Sequence, residues 1–420
     1  MRSFFCLTAS CALGLVGTVA ASDTQWLIPA DKIYTAPDVP PLENGNVLVK
    51  DGRIASVANE RSRIAIPHGT RTSDCRGVVV AGFQNSHVHF MGPPFGDAAK
   101  KPAADLERAV EAMLTRYGFT TVFDTGSDQP NTVAIRTRIE KGELRGPHIL
   151  TAGLPLYPPE GLPFYIRDLP PTLLAALHQP STAAEARADV RENLAQGADG
   201  TKLFVHTSPD MKSTRFMSLE VARAAADETH ARGKLVLAHP TSLEGVRGAL
   251  AAGVDVIVHT TLGEQQPWDE KLTREMVAKR MSVIPTFKLW VYELARQKVP
   301  QPVVDRLVGA TLDELRNFAS VGGQVLFGTD VGYMQDYDPT DEYVFMSKAG
   351  MTPAQILASL TTAPAQRWKE EERRGRVAPG LEADLVVLAG DPFSDVKNFA
   401  QVRCVFRAGK LVYASKAKTD

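Results

Sequence analysis

The stretch VVVAGFQNSHVH, residues 78–89, is the first of eight short apolar runs that alternate with helix-like segments as far as Trp368. The other seven runs are, in order, TTVFDTG (120–126), HILTAG (148–153), DGTKLFV (199–205), LVLAHP (235–240), VDVIVHT (254–260), SVIPTF (282–287) and VLFGTD (325–330). Eight such alternations favour a closed (β/α)8 barrel, the TIM-barrel fold, over an open doubly wound α/β sheet. No glycine-rich dinucleotide-binding loop follows the first run, which also weighs against the open sheet.

Polar side chains that suit a divalent metal stand at the ends of these runs. They are His87, His89, Lys202, His239, His259 and Asp330. The C-terminal ends of barrel strands meet at one rim, so residues far apart in sequence are expected to surround one point. His87 and His89 are two apart on a strand and therefore point to the same face. Imidazole suits zinc and related metals, so the pattern predicts a metal site.

Each of these residues also has a simpler interpretation. A histidine at the end of a buried strand is often only hydrogen-bonded in the core, Asp330 could cap a helix, and Lys202 could pair with a carboxylate. The position of the histidines at matching places in successive units favours metal binding. A Lys202 carboxylated by carbon dioxide would be an anion with two oxygens, able to bridge two metals.

Length and composition are those of an ordinary globular protein. The chain has 420 residues, enough for one large domain and a smaller one, with 44% hydrophobic and 23% charged residues. The formal net charge of -1 argues against nucleic-acid binding, which normally needs a basic face. A small-molecule substrate is therefore the expected partner, and a homo-oligomer is compatible with the sequence.

The N-terminus is typical of a secretory signal peptide. Arg2 precedes an apolar stretch that ends in small residues near Ala21, which predicts cleavage after a signal at residues 1–22 and export to the periplasm or medium. A membrane anchor is the alternative, but the stretch is short and no basic stop-transfer cluster follows it. A lipoprotein would use Cys11, yet the residues before it lack the expected leucine. No membrane span is expected after cleavage.

Both ends of the mature chain are rich in predicted strands. NVLVKDGRIASV (46–57) has two apolar runs around Asp51-Gly52, a strong hairpin signal, and ADLVVLAG (383–390), VRCVFRAG (402–409) and KLVY (410–413) are short strands near the C-terminus. Neither end has enough core to stand alone. We therefore predict one small β-sandwich domain from residues 23–77 and 370–420, with the barrel at residues 78–369 inserted between them.

Helical patterns fill the spaces between the runs. Residues 104–118 and 182–198 place apolar residues at helical spacing and carry glycine at or near their ends. Ser218 is the expected N-cap of a further helix, and residues 242–253 and 352–368 complete the alternation.

Together these segments resemble the amidohydrolase superfamily of metal-dependent hydrolases. The matching elements are NSHVH (85–89), GTKL (200–203), LAHP (237–240), IVHT (257–260), FGTD (327–330), GNVLVKDGRI (45–54) and GRVAPGLEADLVVLAGDP (375–392). The resemblance covers nearly the whole mature chain and is strongest to imidazolonepropionase-related and dipeptidase-like members. Asn85 stands where the family usually has aspartate. Imidazolonepropionase itself has a mononuclear site without the lysine, so Lys202 argues against that activity.

The resemblance implies a binuclear site. His87, His89 and Asp330 would bind one metal, His239 and His259 the other, and carboxylated Lys202 would bridge two divalent ions, expected to be zinc. A hydroxide bridging the metals would attack an amide or peptide C–N bond, and Asp330 would act as general base and then as general acid. Dipeptides and N-acyl amino acids are the expected substrates. Lactone or phosphotriester hydrolysis, or metal binding without catalysis, are the alternatives.

Residues that touch the substrate are harder to predict. His206 and Tyr157 follow the fourth and third strands and are the candidates. Lys212, Arg215 and Lys288 are possible partners of a substrate carboxylate, among which the sequence does not choose. The remaining histidines are expected to be structural: His68, His148, His178 and His230.

Two cysteines, Cys75 and Cys404, remain after removal of the signal peptide. The domain assignment places both in the small sheet domain, and an exported protein meets an oxidising environment in which disulfides persist. A bridge between them would contribute roughly 4–5 kcal/mol as a chain-entropy ceiling. Two buried free thiols are the alternative.

Overall fold

A computed structural model describes residues 25–59, 64–167, 169–210, 212–264 and 266–416. The predicted signal peptide at residues 1–22 lies outside this range. Among the described residues, no helix combines the length and the apolar character needed to cross a bilayer. The fold is α/β, as expected.

The strands in this part of the chain, in order, are β1 (Trp26–Ile33), β2 (Leu42–Lys50), β3 (Arg53–Asn59), β4 (Arg71–Thr72), β5 (Val78–Ala81), β6 (Phe83–Val88), β7 (Phe119–Asp124), β8 (His148–Thr151), β9 (Gly200–Phe204), β10 (His206–Thr207), β11 (Arg215–Phe216), β12 (Leu235–His239), β13 (Val256–Val258), β14 (Ser282–Ile284), β15 (Gln324–Val325), β16 (Leu385–Leu388), β17 (Val402–Arg407) and β18 (Lys410–Ala414).

The α-helices of the same ranges are α1 (Ala103–Met113), α2 (Gln129–Glu140), α3 (Pro171–Ala176), α4 (Ala183–Ala195), α5 (Leu219–His230), α6 (Leu243–Ala252), α7 (Glu270–Ala278), α8 (Phe287–Arg296), α9 (Gln301–Ser320), α10 (Thr340–Lys348), α11 (Pro353–Leu360) and α12 (Thr362–Arg367). The predicted N-cap is confirmed, since the Ser218 hydroxyl accepts a hydrogen bond from the backbone N–H of Val221 at the start of α5.

All eight apolar runs contain parallel strands. Three of these strands form the sheet β6-β7-β8, and five form the sheet β15-β14-β13-β12-β9. Backbone hydrogen bonds also join the two sheets at both edges. Ser86 N donates to Phe327 O at 2.7 Å, and Leu156 N donates to Lys202 O at 2.9 Å.

The runs are apolar without alternation because both faces of these strands are buried. Within β13, Val256 and Val258 belong to a cluster shared with Phe123 and Leu237, whereas Ile257 belongs to the large cluster against the helices. A strand covered on both sides favours apolar residues at most positions, although β6 and β7 also bury hydrogen-bonded polar side chains such as Asn85 and Asp124. The continuous runs that predicted the strands therefore follow from this burial.

The terminal strands form one eight-stranded sheet in the order β18-β17-β16-β5-β1-β2-β3, with β4 beside β1. The predicted β-sandwich is corrected in this respect, because the strands are hydrogen-bonded into a single sheet. The two ends of the sheet approach each other through Ala383, whose N–H donates to Gly52 O and whose carbonyl accepts from Gly409 N. The enclosed face holds an apolar cluster drawn from both chain ends.

The first run, residues 78–89, is two strands rather than one. β5 pairs with β1 and β16 in the terminal sheet, whereas β6 pairs with β7 in a parallel sheet. Gly82 lies between them, and a Cβ atom there would come within 2.2 Å of Thr120 Oγ1. Only glycine fits this crossing, so the predicted boundary at residue 77 moves to Gly82.

Cys75 and Cys404 form the predicted disulfide. Their Cα atoms are 6.1 Å apart, within the range that a disulfide allows. Cys404 lies on β17 and Cys75 precedes β5, so the bond joins the two chain ends within the terminal sheet.

Candidate active site

One cavity of about 220 Å³ opens at the C-terminal ends of the parallel strands. All six residues expected to bind metal line it: His87, His89, Lys202, His239, His259 and Asp330. They come from β6, β9 and β12, from the residues that directly follow β6 and β13, and from the loop after β15. The strand order therefore brings together residues separated by as many as 243 positions.

His87, His89 and Asp330 form the tightest group. The Nε2 atoms of His87 and His89 are 3.2 Å apart. Asp330 Oδ1 lies 3.0 Å from His89 Nε2 and 3.4 Å from His87 Nε2. Ligands bound to one zinc ion at about 2.05 Å in a tetrahedron are about 3.3 Å apart, so these spacings match those of a shared cation.

The hydrogen bonds behind the rings fix which nitrogen faces the cavity with a lone pair. His89 Nδ1 lies 2.6 Å from the carbonyl oxygen of Gly126, which can only accept, so Nδ1 carries the proton. In the neutral ring Nε2 then presents a lone pair to the Asp330 carboxylate oxygen 3.0 Å away. Two acceptors at this distance repel each other unless a cation or a proton lies between them.

The same reasoning holds for His259. The Thr286 hydroxyl donates to Pro285 O at 2.8 Å, and His259 Nδ1 lies 2.5 Å from that hydroxyl and donates to it. His259 Nε2 is thus left with a lone pair, 4.0 Å from Asp330 Oδ2. Burial lowers the pKa of His87, His239 and His259 well below the ordinary value, which keeps these rings neutral as metal ligands must be.

His89 differs from the other three histidines. Burial lowers its pKa, but the contact with Asp330 outweighs burial and raises the pKa overall. The carboxylate thus draws positive charge toward its own oxygen. A bound metal would supply that charge. Among the described residues, His87, His89 and Asp330 are the group of His, Cys, Asp and Glu side chains whose atoms are close enough together to share a metal ion.

The backbone at two of these residues adopts the left-handed conformation, with φ of 79° at His259 and 60° at Asp330. Residues other than glycine rarely adopt this conformation, and it persists where the surrounding structure holds it in place. Asp330 is held by its N–H, which donates to His87 O at 2.9 Å. The strand end that carries one ligand therefore positions another.

Asn85 holds the same region together. Its Nδ2 donates to Thr329 Oγ1 at 2.7 Å, and its Oδ1 accepts from the N–H groups of His87 and Thr329, both at 3.2 Å. The departure from the usual family aspartate thus leaves a side chain that ties β6 to the loop carrying Asp330. The amide serves here as donor and acceptor at once, giving to the Thr329 hydroxyl and accepting from two backbone N–H groups.

Lys202 is fully buried beneath the histidines. Burial lowers the pKa of its ammonium to about 7, against the opposing effect of Asp330 and Asp124. Within the described ranges it forms no ion pair within 4.0 Å, and its Nζ lies 5.5 Å from the centre of the Phe204 ring. The alternative interpretation, in which Lys202 pairs with a carboxylate, is therefore not supported by the described residues.

Of the two residues predicted to contact the substrate, one lines the cavity and the other does not. Tyr157 lines the cavity and stacks on Phe204 at 4.5 Å between ring centres. His206 is not among the lining residues, because it lies on the neighbouring strand β10 and stacks on Phe216 at 4.3 Å. Geometry thus favours Tyr157 and does not support substrate contact for His206.

None of the three predicted carboxylate partners lines the cavity. Lys288 is buried but bonds to the Asp336 carboxylate at 2.8 Å, Arg215 lies 3.9 Å from Glu160, and Lys212 is exposed. The histidines expected to be structural also lie outside the cavity lining, and three of them pair with carboxylates: His148 with Glu370, His178 with Asp189 and His230 with Asp255.

The sequence analysis missed one wall of the cavity. Helix α8 contributes Leu289, Trp290 and Glu293, and Tyr333 lies beside them. Glu293 accepts hydrogen bonds from the Tyr333 hydroxyl at 3.0 Å and from Arg296 at 2.9 Å. The helical spacing of these residues was visible, but spacing alone does not distinguish a face toward a cavity from one toward the core.

Parallel strands between helices, with imidazoles and a carboxylate converging at one end, define an α/β protein with a candidate metal site. The sequence matches the Amidohydrolase family over residues 78–412, and the chain belongs to that family. It is a hydrolase that acts on carbon–nitrogen bonds.

Individual relatives are distant but cover most of the chain. Ochratoxinase of Aspergillus niger is 23% identical over 413 residues, covering 89% of this chain and 84% of that protein. Its crystal structure superposes with a TM-score of 0.75 at 22% identity, covering 93% of this chain and 96% of the other. A Xaa-Pro dipeptidase solved with bound methionine gives a TM-score of 0.78 at 22% identity, covering 93% and 100%.

Proposed function

We propose that this protein is a metal-dependent amide hydrolase that cleaves an amide or peptide C–N bond in a small molecule. The observation that carries the proposal is the convergence of His87, His89 and Asp330, in which a ring lone pair faces a carboxylate oxygen 3.0 Å away. Neutral imidazoles and a carboxylate are the donor set that binds zinc and related metals.

We infer that the two parallel sheets form one closed (β/α)8 barrel. The inference rests on the backbone hydrogen bonds between β6 and the residues after β15, and between β9 and the residues after β8. It also rests on the central apolar cluster, which draws side chains from several of these strands. In this architecture the metal-binding residues occupy the usual catalytic rim.

A second metal, bound by His239 and His259 and bridged by carboxylated Lys202, extends the proposal. The rings of His239 and His259 are 4.7 Å apart between centres. A lysine with a pKa of about 7 is about half neutral near that pH, and the neutral amine is the form that reacts with carbon dioxide. Zinc is the metal proposed for both positions.

The residues of the site divide the chemistry between them. A divalent metal, when bound, acidifies water and polarises a carbonyl group. Asp330 is placed to accept a proton from the attacking water and return it to the leaving amine, as general base and then general acid. Asn85 and Thr286 hold the ligands in position, and Tyr157 lies against the substrate.

Metal analysis combined with a substrate panel tests the proposal. Protein purified without chelator is expected to hold close to two equivalents of metal. It should hydrolyse members of a panel of dipeptides, N-acyl amino acids and simple aryl amides, and chelator should abolish this activity. Metal-loaded protein that cleaves a lactone or phosphotriester but no amide would contradict the proposal.

We also propose that the chain is exported and that residues 1–22 are removed. The disulfide between Cys75 and Cys404 supports this, because such bonds persist in oxidising compartments. The intact mass of protein isolated from the periplasm or medium of an expressing cell tests the cleavage site. A mass that retains residues 1–22 would contradict export by cleavage.

A further inference from the structure

The cavity in front of the candidate metal site is walled mainly by aromatic rings. They belong to Tyr157, Phe164, Tyr165, Phe204, Trp290 and Tyr333. Burial raises the pKa of Tyr157 and Tyr333, so these hydroxyls remain neutral. An apolar, aromatic wall favours an apolar substrate and gives little compensation for a buried charge.

The charged groups of this wall are few. Among the described lining residues, the only basic side chain outside the histidines is Lys202, which lies at the bottom with the ligands. Within the same described lining, the one carboxylate besides Asp330 belongs to Glu293. Away from the candidate metal ligands, the described part of this lining therefore offers a substrate carboxylate no arginine or free lysine, and it presents the Glu293 carboxylate instead.

Helix α8 places Glu293 next to the position that a substrate would occupy. Trp290 is close to the ligand His259, with 5.7 Å between ring centres. Glu293 lies three residues further along the helix, on the same face and about 4.5 Å further along the helix axis. Both side chains line the cavity, so Glu293 borders the space in front of the candidate metal ligands.

The partners of Glu293 hold its carboxylate in place at the edge of the cavity. Tyr333 donates to Oε1 at 3.0 Å, and Arg296 donates to the same oxygen at 2.9 Å. The Glu293 side chain is only 17% exposed, whereas that of Arg296 is 56% exposed and is not among the cavity-lining residues. The negative end of this pair thus faces the cavity and the positive end faces solvent.

We propose that the site selects amides whose group beside the scissile bond is apolar and either neutral or cationic, and that Glu293 excludes a free carboxylate there. The inference rests on the proposed function and narrows it, because it ranks capped amides above N-acyl amino acids with a free acid. Glu293 is a specificity-determining residue in this proposal and takes no part in bond cleavage.

Three matched substrates measure the preference. N-Benzoylglycine, N-benzoylglycinamide and N-benzoylethylenediamine share an acyl group and differ in charge at one position; an analogous phenylalanine series covers a larger side chain. We expect kcat/KM for the neutral and cationic compounds to exceed that for the acid by at least about tenfold, since an unpaired charge is costly to bury. Equal or faster cleavage of the acid would overturn the inference.

Glu293→Gln separates the role of this residue from that of the apolar wall. The ratio of neutral to anionic kcat/KM is expected to fall at least about threefold, because the like charge is removed while the size is kept. The matched control is Glu270→Gln, an exposed glutamate on α7 whose carboxylate pairs with Arg274. An unchanged ratio in Glu293→Gln, with the control also unchanged, would overturn the role of Glu293.

A binding measurement makes the result independent of turnover. Calorimetry with metal-loaded Asp330→Asn protein should give weaker binding of the acid than of its amide, and Glu293→Gln in that background should reduce the difference. If metal-loaded wild-type protein hydrolyses none of these compounds and no member of the wider panel, the proposed function is overturned instead.

Discussion

Removing the disulfide between Cys75 and Cys404 should destabilise the protein by several kcal/mol. The two residues are 329 positions apart, and the chain-entropy relation gives a ceiling of about 6 kcal/mol at 25 °C for a loop of that length, above the roughly 4–5 kcal/mol expected from the sequence. This value applies when the whole chain unfolds together. It exceeds the contribution of most single side chains.

The architecture sets a second, lower limit. If the terminal sheet opens while the parallel sheets stay folded, the free chain runs only from Cys75 to β6 and from the end of α12 to Cys404. The effective loop then shortens to about 45 residues, for which the same relation gives about 4 kcal/mol. We therefore expect a loss of about 4–6 kcal/mol, reduced by any strain in the native bond.

Urea unfolding of Cys75→Ala, Cys404→Ala and the double variant measures this loss. Either single change breaks the bridge, so the double variant should be destabilised much less than the sum of the two singles. Dithiothreitol should lower the wild-type midpoint to that of the variants and leave the variants unchanged. Two titratable thiols in denatured, unreduced wild-type protein, or variants as stable as wild type, would refute the reasoning.

Four further changes test the site and the core. Asp330→Asn should abolish turnover but retain much of the metal, because an amide oxygen ligates weakly but cannot carry a proton; near-normal kcat would remove Asp330 from the role of base. Lys202→Ala should lose metal and activity, partly restored by short carboxylic acids, as metal analysis and assays with and without acetate will show; full metal content would contradict the bridging role. Arg374→Met should lower the free energy of unfolding, measured with urea, by about 3–5 kcal/mol, because Arg374 is 3% exposed and donates to Glu382 at 2.6 Å. The matched control is Arg373→Met, which should lower it by less than about 1 kcal/mol because Arg373 is half-exposed. Glu314→Gln should stabilise the protein increasingly as pH rises. Burial raises the pKa of Glu314 in the folded protein to about 8, so the wild-type free energy of unfolding should fall, relative to that of the variant, by about 1.4 kcal/mol per pH unit between the unfolded pKa and pH 8. Plots of melting temperature against pH that run parallel for the two proteins would refute this.

The strands and the candidate metal ligands were predictable because each leaves a local signal. A strand buried on both faces, such as β12, is mostly apolar, so a polar residue at its end is conspicuous, as His239 is after Leu235–Ala238. The rim of the fold then brings such residues together whatever lies between them. This is why the ligand positions followed from the order of eight short runs.

The division of the first run into two strands, β5 and β6, was not predictable in the same way. Residues 78–88 form one apolar stretch, yet β5 and β6 belong to different sheets. The division depends on Gly82, where the chain passes too close to Thr120 and Asp384 for any side chain. Those neighbours are 38 and 302 positions away, so no local pattern marks the glycine as a crossing point.

The wall that faces the substrate is set by the same kind of distant contact. On α8, Trp290 and Leu294 are buried apolar residues one turn apart that share a core cluster, but of the two only Trp290 also lines the cavity. Glu293 would be taken for a surface residue on any periodic pattern, yet Tyr333 and Arg296 hold it at the cavity edge. Ligands at strand ends are conspicuous because the strand forbids polar residues, whereas a helix tolerates a carboxylate on many faces. The residues that determine chemistry can therefore be predicted from this sequence more readily than those that determine specificity.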